Sequence, residues 1–411
     1  MRFLFFLLLC CSALRAQEPV SAIGRMITCE THDTVVGAAY VPPPARVVNG
    51  AELTATFNLI YTSSVPADAR ESMQFAADVW GSYLQSDVPI RVEIDWRDEE
   101  DDRLLASAGP STIVRDFSGA PERQTWYPVA LAEALFGDTI NAPDEADIVV
   151  VVNSTANWYY GTDGNTPRNR IDLATVFMHE MGHGLGILSS VDSIGTDSVI
   201  IGYDNRFLIY DTFLETPPGR QLTDIEEFNN PSQELLAAII DELDFGGEKA
   251  VEKNDGELVP LFAPETFDVG SSVSHLEESV YRTGTINALM TPSLASGEAI
   301  HDPGPVTLGI MFDLGWPLSF EASVATHEIV AGRLGVYPNP ASGSFTLELG
   351  DVLSPTVAIL YAPDGREASR QDISGQYGGT ARVSVDHLAP GIYTLFVPDG
   401  DRAFSGRVVV R

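Results

Sequence analysis

In the run HEMGHGLGILSS, residues 179–190, glycine stands at 182, 184 and 186 beside two histidines. Glycine is among the poorest helix formers, about 1 kcal/mol per residue worse than alanine. A helix that keeps Gly182 and Gly184 implies neighbours pressed close to its backbone, and Gly186 implies a sharp turn at its end. His179 and His183 lie four apart, so on a helix both imidazoles leave one face about a turn apart. Both nitrogens then reach one zinc ion at about 2.0–2.1 Å. Glu180 cannot bind in the same geometry. It is placed instead as a general base for an attacking water, whose acidity the metal raises, and then as the acid that passes the proton to a leaving amine.

The flanking pattern supplies the helix and a sheet to carry it. Asp172 is a cap for a helix through LATVFMHEMGHG. Upstream, LTATFNLIYTS and VPIRVEIDW alternate as strands, and ADIVVVVN (146–153) is a continuous apolar run of the buried kind. Between the first two, Met73, Ala76, Ala77 and Trp80 recur at helical spacing after Pro66. Strand, helix, strand, strand, helix predicts an α/β or α+β fold over residues 51–318. Residues 17–50, with VPPPA as a stiff spacer, read as an irregular N-terminal segment and a candidate pro-segment.

The first residues read as a secretory leader. Arg2 is the charged end, Phe3 to Leu9 the apolar run and Ala16 the small residue before a cut at Gln17, which predicts a signal peptide over 1–16. No later stretch is long and apolar enough to cross a membrane. Cleavage at Gln17 removes Cys10 and Cys11. Cys29 then has no internal disulfide partner and reads either as an incidental thiol in a loose segment or as a thiolate that ligates the zinc of a latent enzyme.

The chain has 58 acidic and 24 basic residues, a formal charge of -34, which excludes nucleic acid and anionic membrane as partners by bulk attraction. Asp163 and Asn165, around a glycine in GTDGNTPRNR, are the candidate for a structural calcium ion (Ca2+), although the alternating ligand set of an EF-hand is incomplete.

HEMGHGLG resembles the start of the metzincin signature HExxHxxGxxH, in which Gly186 makes the turn. NALMTP (287–292) resembles the Met-turn of that clan and puts Met290 beneath the metal. The resemblance spans roughly 50–318 and is nearest to secreted bacterial metalloproteases whose signature stops at the glycine. It implies a zincin-like fold, Zn2+ and protein or peptide substrates. Ser189 stands where the third histidine of the signature would be, and no tyrosine follows Met290 by two residues. Tyr281 is a guess for the group that stabilises the tetrahedral intermediate.

A catalytic zinc takes three protein ligands and keeps one open position. Of the seven histidines, His32, His327 and His387 lie outside the catalytic region. His275, in the polar loop SSVSHLEES 15 residues before Met290, is favoured as the third ligand, with Ser271, Ser272 and Ser274 at hand to orient its second nitrogen. His301, before an apolar closing helix, and Asp192 are the alternatives.

After a linker at 319–334 the composition changes to short alternating strands split by Pro-Asn-Pro, Asp-Gly and Pro-Gly turns, which predicts a small all-β, Ig-like sandwich over 335–411. VYPNPASGSFTLEL, LYAPDGR, LAPGIYTLFV and GRVVVR resemble the C-terminal sorting domain of the type IX secretion system of Bacteroidetes. That resemblance implies export to the medium or the outer-membrane surface, with the secretion machinery as partner. A carbohydrate- or protein-binding module is the alternative. For the whole chain the expectation is a secreted zinc metalloendopeptidase. The competing classes are an inactive surface-binding relative and a non-peptidase zinc hydrolase such as a deacetylase.

Overall fold

The computed structural model describes residues 19–32, 39–50, 52–319 except 218, 225 and 241, then 328–329, 335–348, 357–361, 367–373, 380–399 and 402–411. The expected leader and most of the expected linker lie outside these residues. The chain divides into two compact units that meet after Ser319.

The first unit is mixed α/β. Its principal sheet is built from β1 (Ile27–His32), β2 (Phe57–Tyr61), β3 (Ile90–Arg97), β4 (Leu104–Pro110), β5 (Ile148–Asn153) and β6 (Ser293–Ala295), in the spatial order β6-β1-β4-β5-β3-β2. Strands β2, β3 and β5 are mutually parallel. β4 runs antiparallel to β5 and β1 antiparallel to β4, while β6 is parallel to β1. β3 alternates buried and part-buried residues, and β5 is buried at every position but one, as its uninterrupted apolar run predicts. Helix α1 (Ala67–Tyr83) buries Met73, Ala76, Ala77 and Trp80, the residues that set its period, and a short helix α2 (Val129–Phe136) lies between β4 and β5 in the chain.

Two features depart from expectation. Residues 17–50 are not simply irregular: Val20–Ile23 pairs antiparallel with Thr112–Arg115, β1 lies inside the principal sheet, and Ala39–Val41 pairs parallel with Glu298–Ile300. Ile27 and Cys29 are buried on one face while Thr28 and Glu30 are not, an alternation too short to stand out beside the proline-rich spacer. The folded unit therefore begins near Val20, not at 51. β4 was also not expected, because LLASAGP is rich in small residues. The helix that carries the histidines, α3 (Leu173–Leu185), packs against this strand, and Ala106 and Ala108 are fully buried there.

Beside β6, Glu298 is buried in the paired segment Glu298–Ile300. Burial pushes its carboxyl up to about 7, against the opposing pull of the Ala295 and Gly284 amides, each 3.2 Å from a carboxylate oxygen. The folded chain thus holds a proton that the unfolded chain releases near pH 4.3. Stability from this group is full at low pH and is lost as pH rises through about 4.3 to 7, by at most about 4 kcal/mol. Thermal midpoints across that range should fall with pH in the wild type and fall less in Glu298→Gln; equal slopes would show that Glu298 titrates normally.

The second unit is all β. Its strands join in the order 367–372, 357–361, 391–399, 402–410, 335–342, 344–348, 380–384, with Glu328–Ile329 added beside the last strand of the chain. Leu360, near one end of that order, and Val383, at the other, belong to a single buried cluster with Phe345, Leu395 and Val408, so the connected sheet closes over one core.

Candidate metal centre

Helix α3 starts at Asp172, whose carboxylate accepts from the Thr175 amide at 2.9 Å, and ends at Gly186 with φ of 132°. The three glycines have separate causes. A Cβ on Gly182 would lie 2.7 Å from Met290 Sδ, and one on Gly184 would lie 2.3 Å from Ile148 Cγ2 of β5. Gly186 adopts a backbone conformation that other residues rarely take. Two indoles hold the helix: Trp80 Nε1 donates to Met178 O at 2.9 Å and Trp316 Nε1 to Leu185 O at 2.8 Å.

The structure brings His179, His183 and His275 together. Their Nε2 atoms are separated by 3.0 Å (179–183), 3.2 Å (183–275) and 3.2 Å (275–179). Each Nδ1 faces a backbone carbonyl at 2.7 Å: Leu289 for His179, Ile187 for His183, Ser271 for His275. A carbonyl only accepts, so each Nδ1 carries the proton and each Nε2 presents a lone pair. Three lone pairs converge with no proton between them, which is repulsive unless a cation lies at their focus. Zinc at about 2.0–2.1 Å from each of three tetrahedral ligands needs nitrogens roughly 3.3 Å apart, close to the observed triangle. All three rings are fully buried, and burial lowers their basicity, to about 4 for His179 and about 3 for His275, with His183 well below its ordinary value. They are therefore neutral imidazoles over the physiological range.

Glu180 is also fully buried, and neither carboxylate oxygen has a hydrogen-bond partner among the described residues. Burial alone pushes its carboxyl well above the usual range. An unpartnered buried carboxylate is costly, and such groups cluster where protons are moved.

Residues 287–292 pack against the helix that carries His179 and His183. Leu289 supplies the carbonyl that fixes His179, and Met290, fully buried, fills the space left by Gly182. Its carbonyl accepts from Leu276 N at 2.8 Å, next to the third histidine. The rest of the His275 loop is pinned by Phe262, whose amide donates to His275 O at 2.8 Å, and by Tyr210, whose hydroxyl donates to Val273 O at 3.0 Å.

Ser189 is part of this support. Its amide donates to Ser274 Oγ at 3.0 Å, and its hydroxyl donates to the buried Asp211 at 2.7 Å. Asp211 also accepts from the Ser190 amide and hydroxyl and from the Leu208 amide. Where the long signature would place a ligand, this chain has a clamp that holds the loop carrying His275. Nothing in the sequence marks Asp211 or Tyr210 for this role, because each acts through contacts formed only by folding. Of the three serines expected to orient His275, Ser271 does so chiefly through its carbonyl; Ser274 binds Ser189, and Ser272 accepts from the Asp268 amide.

Other candidates lie elsewhere. His301 Nε2 pairs with Asp172 Oδ1 at 2.9 Å at the start of α3. Asp192 is exposed, 4.0 Å from Arg25. Tyr281 donates its hydroxyl to Asn254 at 2.9 Å. Asp163 accepts from Tyr159 and Asn165. Cys29 is not in a loose segment: it is fully buried in β1, and its sulfur, a His179 nitrogen and a Glu180 oxygen lie within 4.8 Å of one another.

Against known families, residues 46–209 match the SPBPB7E8-like model. Residues 335–411 match the secretion system C-terminal sorting domain. The chain is a type IX secretion cargo. It is delivered to the surface or the medium of a Bacteroidetes-like bacterium. Among curated proteins it is similar to the uncharacterized protein PB7E8.01 of Schizosaccharomyces pombe, 31% identical over 20% of this chain and 14% of that one. Among solved structures, a mutant thermostable endoglucanase from Alicyclobacillus acidocaldarius aligns at TM-score 0.14 and 20% identity over 21% of this chain and 13% of its own. The CBM51-2 and INT domains of ZmpB from Clostridium perfringens align at TM-score 0.16 and 14% identity over 21% and 19%. Alignments this weak carry no argument about fold. Among the described residues no helix is long and apolar enough to cross a membrane. Deletion of 335–411 should leave the first unit in the periplasm, detectable by fractionation and immunoblot; normal amounts in the medium would refute the sorting role.

Proposed function

We propose that the first unit is a zinc-dependent endopeptidase of zincin-like, metzincin-related fold. The observation that carries the reading is the convergence of three bare Nε2 atoms beside a buried, unpartnered glutamate. His179, His183 and His275 would hold the zinc, and their Nδ1–carbonyl bonds fix each ring's tautomer and aim. Bound there, zinc would act as a Lewis acid toward the scissile carbonyl and make water a stronger acid. Glu180 would take a proton from the attacking water and return it to the leaving amine. Its raised basicity suits that task, since a carboxylate in a dry setting is a better base than one in water. Met290 packs against the ligand helix, and the adjacent Leu289 carbonyl holds His179 in place.

One observation favours the inactive, surface-binding reading instead: Glu180 and all three histidines are fully buried, so no substrate reaches them in this state. A chelator experiment separates the two. Hydrolysis of an unfolded protein should vanish on treatment with 1,10-phenanthroline and return with about one equivalent of zinc; activity indifferent to the chelator would refute the zinc peptidase.

A further inference from the structure

Resting on the zinc reading above, we propose that Val273 and Tyr210 are positioning residues for the third ligand. A strained turn at Val273, clamped by the Tyr210 hydroxyl, presets the aim of His275 before any metal arrives.

The geometry of His275 demands the turn. Its Nδ1 lies 2.7 Å from the carbonyl of Ser271, four residues back. For a ring to meet a carbonyl so near in the chain, the backbone between them must fold back on itself. Val273, midway, does so with a φ of 73°. That left-handed conformation is costly for any side chain and most of all for a β-branched one. Among the described residues other than glycine, positive φ is also found at Asp116, Gln124, Asp204, Asn205 and Asp255. Those five are polar and none is buried, whereas Val273 is branched, apolar and fully buried.

A strained residue persists only where its surroundings over-determine it. The Val273 amide donates to Phe262 O at 2.9 Å, and the Phe262 amide donates to His275 O at 2.8 Å, so one residue grips the chain on both sides of Ser274. The Val273 carbonyl accepts from the Tyr210 hydroxyl at 3.0 Å, across 63 residues. Tyr210 opens the short 3-10 helix Tyr210–Phe213 and is itself buried, its ring centre 5.3 Å from that of Phe245. The hydroxyl is therefore delivered by a ring seated in the core, independently of the loop it holds.

The convergence of the Nε2 atoms gives the strain a use. Three bare lone pairs at 3.0 to 3.2 Å repel one another while no cation lies between them. His179 and His183 cannot separate, because both stand on α3. A free loop would let His275 swing away. A turn built on a stiff, β-branched residue keeps it in place, so the site is assembled in advance and little ordering entropy is lost when metal binds. A glycine at 273 would take the same φ freely and leave other conformations open as well.

The test measures zinc affinity, by competition with a chelating dye, on the mature chain, residues 17–411. Tyr210→Phe removes the hydroxyl and keeps the ring beside Phe245. Alone, it should weaken zinc binding by about 10- to 100-fold, the usual effect of losing a contact that orients a ligand. In a His275→Ala background the same substitution should weaken it by less than about twofold, because its effect passes only through His275. Cobalt-loaded Tyr210→Phe should also show a shifted visible absorption spectrum, since the third imidazole is no longer aimed at the metal. Val273→Gly, which suits the positive φ, should behave in the same way in both backgrounds, and it decides by the same criteria if Tyr210→Phe does not fold. Equal losses in the two backgrounds would make these residues general supports of the fold and overturn the inference. Unchanged affinity in either folded variant would overturn it as well. A wild type that binds no zinc would defeat this inference and the metal centre together. Zinc binding with the expected pattern of losses, but no hydrolysis of unfolded casein, would uphold the positioning and defeat the peptidase alone.

Discussion

Glu180→Ala should retain its zinc and lose at least about a thousandfold in kcat, measured in whichever form of the protein the wild type is active. The carboxylate makes no hydrogen bond among the described residues, so its removal breaks no structural bond. It is fully buried with a carboxyl held well above its usual range, so a variant without it gives up an unfavourable burial and should melt no lower than the wild type. The three Nε2 atoms remain where they were. A loss of rate with metal and stability intact is the signature of a proton carrier. Near-normal proteolysis in a clean preparation would remove Glu180 from that role, and loss of zinc along with rate would make it a ligand.

His275→Ala should lose zinc and activity together. His179 and His183 share one helix and would survive the substitution in place, but two imidazoles leave a catalytic zinc one protein ligand short. The loop around His275 keeps its backbone anchors at Phe262, Leu276 and Tyr210, so the fold should persist without the metal. His301→Ala and Asp192→Ala are the controls. His301 is bonded to Asp172 and Asp192 lies exposed beside Arg25, so both variants should keep most of their zinc after dialysis. Full zinc in His275→Ala with loss in either control would transfer the third ligand to that residue.

The histidine spacing, the cap at Asp172 and the glycine turn were legible in the sequence because each is a local pattern on one helix. Met290 was legible only through resemblance, and neither its contact with Gly182 nor the bond between the Leu289 carbonyl and His179, which bridges 110 residues, was legible at all. His275 emerged by elimination among few histidines; what holds it in place did not. Ser189 read as a lost ligand, yet it ties the end of the helix to Ser274 and Asp211, a role that depends on a pairing 85 residues away. The strand β1 was hidden for a different reason. Its alternation is brief, and the segment 17–50 reads as loose when judged by its prolines, whereas its order comes from edges supplied by β4 and β6.

The most direct test of the metal centre is X-ray absorption at the zinc edge of the purified mature protein. The expected result is one zinc per chain with three imidazole nitrogens at about 2.0–2.1 Å. Absence of bound zinc, or a shell containing fewer than three imidazoles, would contradict the assignment of His179, His183 and His275 as its ligands.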